Sequence, residues 1–249
     1  MLKLLKHDIR DSYLEVVVFC GVLLLTSLFI MFSIMTQIGF WIVISWLAYS
    51  AAGLALSVVV LKVIVQNFHI KLFASGGYLT LTTPISINKI LLSKILVSML
   101  WLLLLTLTFI ASIFVVLGAF EFMGEFLVGL FRVFMRYPLR VFQIGLVFLA
   151  SALSGIVTLL LVLSLSNIGR SKKAKVLKGI LIYYGLTQVM SIISVIIMMS
   201  LMPALDRSNL SGTAIFYVIT SVIFIIFIGW SIGFYFLSKY LIIKKVELE

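Results

Sequence analysis

Charge is what this chain has least of. Only 11% of its 249 residues are Asp, Glu, Lys or Arg, while 63% are hydrophobic. A soluble domain keeps roughly a quarter of its residues charged, because its surface faces water. Here too few remain to cover such a surface, and a mean hydropathy of +1.31 makes lipid the natural solvent for most of the chain. A soluble fold is excluded. Cysteine is nearly absent as well: Cys20 stands alone inside the first apolar run, so no intrachain disulfide can form. The two histidines, His7 and His69, stand apart without a metal-ligand pattern. The net charge of +11 would raise nucleic acid as a partner in a soluble protein. In a membrane protein it reads instead as basic loops holding helix ends at the cytoplasmic face, and no nucleic acid is expected.

What is present is length in apolar runs. Six segments have the roughly 20 apolar residues that a spanning helix needs: Leu14–Met35, Phe40–Val65, Leu91–Ala119, Val141–Leu165, Lys178–Met202 and Thr213–Leu237. Backbone groups in lipid must be satisfied within the segment, and barrel-like alternation is missing, so an all-α membrane fold is expected. The first run follows Lys3, Lys6 and Arg10, as in a signal peptide. It exceeds a signal core of about 7–15 residues and ends in no cleavage pattern, so it is expected to be retained. With both ends inside, all of the 19 basic residues except Arg132, Arg136, Arg140 and Arg207 fall on the cytoplasmic side. That bias predicts the orientation. No linker or repeat divides residues 1–249, so one membrane domain is expected.

Three stretches lie outside the spans. In residues 1–13, Leu2, Leu5, Ile9 and Tyr13 share a helical face opposite Lys3, Lys6, Asp8 and Arg10. This predicts a helix lying along the cytoplasmic interface before the chain turns into the membrane. In residues 120–137, on the outer side, Glu121, Glu125, Arg132 and Arg136 fall on one face, with Phe122, Phe126, Leu130, Phe131 and Phe134 opposite. A half-submerged helix is predicted, closed by Pro138. It either caps the translocation path or anchors its neighbouring spans. Residues 66–94 form the longest inner connection. Gly76-Gly77 and Pro84 bracket Tyr78-Leu79-Thr80-Leu81, a short element held between two bends, and Ser86 is placed to cap the next helix.

Catalytic constellations are missing. There is no Gly-rich phosphate loop, no His-Glu-x-x-His and no Gly-x-Ser-x-Gly elbow, so neither ATP hydrolysis nor other enzyme chemistry is expected of this chain. The middles of the six spans contain no Asp, Glu, Lys, Arg or His, which counts against a proton-coupled carrier. They do contain hydroxyls and an amide. Thr187, Gln188, Ser191 and Ser194 cluster on the fifth span, as the weakly polar wall of a substrate path or as ordinary interhelical hydrogen bonding. Gln188 stands out because a mid-membrane carboxamide must find partners. Small residues recur at close-packing spacing (Ala48 and Ala52, Gly53 and Ser57, Ser151 and Gly155), within the bundle or between protomers.

The run Gly77-Tyr78-Leu79-Thr80-Leu81-Thr82-Thr83-Pro84, followed by Ser86 and Lys89-Ile90-Leu91-Leu92-Ser93-Lys94, resembles a stretch of the ABC-2 type permeases of Gram-positive bacteria. The two chain ends and Ser164-Leu165-Ser166-Asn167-Ile168-Gly169 are similar to the same family. The resemblance implies a six-helix exporter half in the plasma membrane. It would pair with a second permease, identical or homologous, and with two separate ATP-binding cassette subunits that hold ATP and Mg²⁺. This chain itself would bind no cofactor or metal and do no catalysis. The resemblance further implies that Gly77, Tyr78, Leu79, Leu81 and Pro84 form a coupling element on the ATPase. The substrate would be amphipathic or hydrophobic, with antimicrobial or toxic peptides foremost. The rival class is another polytopic membrane protein, an embedded enzyme or an accessory subunit without transport.

Overall fold

A computed structural model describes residues 2–69, 86–118, 120, 123–167, 175–207 and 211–244. These form seven α-helices and no strand: α1 (Leu2–Thr36), α2 (Gly39–Phe68), α3 (Ile87–Leu117), α4 (Met123–Arg136), α5 (Pro138–Ser166), α6 (Lys175–Arg207) and α7 (Gly212–Lys244). All except α4 are long and apolar enough to cross a membrane. The chain is a polytopic, all-helical membrane protein by length and composition. Over the described residues each expected span lies within one of the six long helices but for Gly118 at the end of the third, and most helices run beyond it, because hydropathy marks where lipid begins rather than where hydrogen bonding stops.

The contacts divide the chain into two units, residues 1–67 with 88–136 and residues 68–87 with 137–249. In the first, α1 and α2 are joined by Gln37 and Ile38. Gln37 takes a left-handed conformation (φ 54°), and its amide donates to Ile34 O at 3.2 Å. The buried stripe of α1 runs through Asp8, Val16, Cys20, Leu23, Ser27, Ile30 and Ser33. Every pair among α1, α2 and α3 is joined by polar side chains. Ser33 and Ser45 hydroxyls lie 2.8 Å apart. Tyr49 donates to Ser112 Oγ at 2.8 Å, since Ser112 already donates to Phe109 O. Thr108 Oγ1 lies 3.4 Å from Cys20 Sγ. Lys62 pairs with Glu15 at 2.9 Å, both half exposed, whereas Lys94 pairs with Asp8 with both side chains under 5% exposed. An ion pair this deep holds only because the mutual attraction of the two charges offsets the cost of desolvating them.

The N-terminal segment departs from expectation. It does not form a separate element that turns at Tyr13: α1 is continuous for 35 residues, because no glycine or proline precedes Gly21 to interrupt it. At 1.5 Å per residue it is about 52 Å long, against roughly 30 Å of hydrocarbon, so its first turns extend past the lipid zone.

In the second unit α5 lies between its neighbours. Gln143 of α5 donates to Tyr217 O at 3.2 Å and to Ser221 Oγ at 2.9 Å on α7. Gly179 of α6 sits against Ser166 and Val162 of α5. Pro138 proves to be the first residue of α5, where its missing N–H costs nothing, and Tyr137 is the break that ends α4.

Candidate functional site

The fifth span, α6, contributes the site. Thr187, Ser191 and Ser194 repeat at helical spacing, so they fall on one face, and that face opens onto α7. There they line an open groove of about 540 Å³. Most of the remaining wall is methionine (Met190, Met198, Met199 and Met202), closed by Phe227 and Trp230 of α7. Thioethers on unbranched stems adapt to irregular apolar shapes. Two of the three hydroxyls are spent on their own backbone, since Thr187 donates to Tyr183 O or Tyr184 O and Ser194 donates to Met190 O at 2.7 Å, which leaves Ser191. What the groove can do chemically is accept a flexible apolar body and offer weak acceptors along one side. Its lining contains no Asp, Glu, His, Lys or Cys to activate a hydroxyl.

Gln188 does not line this groove. It is exposed on the row of α6 that continues into Val195 and Met199, which do line the groove, so the structure brings together three of the four side chains expected to form a polar wall and leaves the fourth at its margin.

The amphipathic helix expected over residues 120–137 is present as α4, Met123–Arg136, and none of its residues is buried. Glu125 and Arg132 share its polar face with Gly124, Val128 and Gly129, while Phe131, Val133, Phe134 and Met135 are more than half exposed. Arg136 is its last residue. Glu121 lies outside the described residues, as do the coupling candidates Gly77, Tyr78, Leu79, Leu81 and Pro84. Ser86 immediately precedes α3, where a cap was expected.

Two features escaped the sequence reading. Asp8 and Lys94 were counted only as cytoplasmic charges, yet they form the buried pair. The available signal was that Lys94 follows Ile90 and Leu91 and precedes Ile95 on one face, so that face could be buried only with its charge. His7 is also less isolated than its sequence position implied. Its Nδ1 is 3.2 Å from Asp11, and ligand atoms of His7, Asp8 and Asp11 lie within 4.8 Å of one another. The Asp8 carboxylate is already held by Lys94, and His7 and Asp11 face outward, which makes this a solvated charge cluster.

No protein-family model, curated protein or solved structure matches this chain.

Proposed function

We propose that this chain is the permease half of an ATP-driven exporter for an amphipathic or hydrophobic substrate. The observation that carries the reading is the methionine-rich groove of α6 and α7, with Thr187, Ser191 and Ser194 in its wall. A groove of that chemistry suits the apolar side of a peptide or lipid-like molecule. The middles of the spans contain no Asp, Glu, Lys, Arg or His, so in this reading the energy for movement comes from a partner. In this reading both chain ends are cytoplasmic, in the plasma membrane of a Gram-positive bacterium. Two permeases pair, and the Gly77–Pro84 segment seats Tyr78, Leu79 and Leu81 on an ATP-binding cassette subunit, which holds ATP and Mg²⁺. Among substrates, antimicrobial or toxic peptides come first.

The test is reconstitution with a candidate cassette subunit in liposomes loaded with a fluorescent amphipathic peptide. Efflux should require ATP and both proteins, and this chain alone should hydrolyse no ATP. Tyr78→Ser together with Leu81→Ser should leave the permease in the membrane, lose the cassette on co-purification and abolish efflux. ATP hydrolysis by the isolated chain, or efflux driven by an ion gradient without a cassette, would overturn the proposal.

A further inference from the structure

α6 has one face turned to its own chain and one that is not. Ile182, Leu186, Met190, Ser194 and Met198 are half-buried. On the opposite side Leu181, Gly185, Gln188 and Ile192 are all exposed, and their row continues into Val195 and Met199, which are exposed at the edge of the α7 groove. Their spacing alternates between four residues and three, the rhythm of a seam between two helices. None of the most apolar stretch of α6 is buried, against 44% for that of α5.

An apolar face alone would be content in lipid. Gln188 is what makes this one unusual. It lies two residues from the middle of the span Leu177–Pro203, about 3 Å along the axis, and makes no hydrogen bond to any described residue. Its carboxamide carries two N–H donors and an acceptor, and acyl chains can serve neither. Leaving them unserved costs free energy that a partner of suitable chemistry recovers.

We propose that this face is the docking surface for a second copy of this chain. Two α6 helices meet about a two-fold axis along the membrane normal, with the Gln188 carboxamides bonded to each other. Three observations favour a copy over any other occupant. A carboxamide is self-complementary, since each donates its N–H to the other's oxygen, and a two-fold axis makes those bonds reciprocal. Two copies in one orientation carry Gln188 at the same depth, which an unrelated chain has no reason to do. Gly185 lies on the same face, and a Cβ built there would meet nothing within 4 Å, so a second helix can approach closely. A single polar residue in an apolar seam also fixes register. Pairing is part of the exporter reading, but this surface follows from the solvation of Gln188 and does not rest on ATP-driven transport.

The experiment uses the full chain with Cys20→Ala, in liposomes of phosphatidylcholine and phosphatidylglycerol, without any cassette. Under mild oxidation Gln188→Cys should give a disulfide-linked species of twice the chain mass. Leu25→Cys, which replaces a 66% exposed residue of α1, should stay single. With Gln188 and a fluorophore pair on the chain, energy transfer should report a dimer. Gln188→Leu should weaken that dimer about tenfold, the order expected of two interhelical bonds in lipid, and Gln188→Asn should retain most of it. Cross-linking at position 188 no greater than at 25, or unchanged energy transfer in Gln188→Leu, would overturn the proposal. A cross-link found only to a different chain in native membranes would overturn it too. Failure of transport with cross-linking intact would leave this surface standing and remove the exporter reading alone.

Discussion

The helices α1, α2 and α3 are tied to one another through Asp8–Lys94, Glu15–Lys62, Cys20–Thr108, Tyr49–Ser112 and Ser33–Ser45. The helices of the second unit are held differently. Gln143 links α5 to α7, and the hydroxyls of Thr187 and Ser194 on α6 turn back to their own backbone. In lipid no hydrophobic force gathers helices, so helix packing and polar links decide which of them cohere. The difference therefore has content. Apart from the buried Asn67 Nδ2 and Trp101 Nε1, which find no partner among the described residues, the first unit resolves its buried polar groups internally and reads as scaffold. The second leaves a groove and a carboxamide on α6 unspent, which is the condition of a surface that works with something outside the chain.

The harshest way to break the comparison is to remove one end of the buried ion pair. Lys94→Ala leaves the Asp8 carboxylate buried without its counter-charge. The expected loss is about 3–5 kcal/mol of stability, read as a lower melting temperature in detergent and poor recovery from the membrane. Replacing both together, Asp8→Leu with Lys94→Met, should recover most of it, because the desolvation cost disappears along with the attraction. A loss below about 1 kcal/mol for the single change would mean that the pair is hydrated, contrary to its burial.

A milder contrast uses glycine. A Cβ on Gly53 of α2 would meet the Phe109 ring at 3.3 Å, whereas one on Gly155 of α5 would meet nothing within 4 Å. Gly53→Val should overpack the first unit by about 1–3 kcal/mol, while Gly155→Val should change stability little. Thermal unfolding of the two variants side by side checks this. Equal effects would remove the distinction between a glycine used within the unit and one facing outward.

Much of the fold was legible because lipid imposes a coarse rule: six apolar runs of sufficient length became six long helices. The amphipathic α4 was legible for a related reason, as its charged and apolar residues separate on one turn-by-turn wheel. Pairing between helices was not. Asp8 and Lys94 are 86 residues apart, and a wheel drawn for residues 1–13 alone puts Asp8 on the solvent side. The small-residue pairs likewise could not be divided between bundle and protomer contacts until the neighbours of Gly53 and Gly155 were known. At the candidate site Thr187, Ser191 and Ser194, gathered by their spacing, line one groove. Gln188 adjoins Thr187 in sequence but lies about 100° away on the helix and is not among the groove's lining residues.

The finest test sets two glutamines of the second unit against each other. Gln143 donates to Tyr217 O and Ser221 Oγ, whereas Gln188 has no such acceptor among the described residues. Gln143→Leu removes a link between α5 and α7, and its cost is limited by what the partners do next. The Tyr217 carbonyl keeps its helical bond, and the Ser221 hydroxyl can turn to the carbonyl four residues before it, which is Tyr217 again. The expected loss is therefore about 0.6 kcal/mol, the average for an interhelical bond in lipid, and no more than about 1.7 kcal/mol. Gln188→Leu should cost the monomer nothing in detergent, because no bond within the chain is lost and an apolar side chain suits the surrounding acyl chains. Unfolding measured at a dilution where the protein is monomeric separates the two. If Gln188→Leu destabilised the monomer as much as Gln143→Leu, the carboxamide would be serving its own chain, and the contrast between a self-satisfied helix pair and an open α6 face would fall.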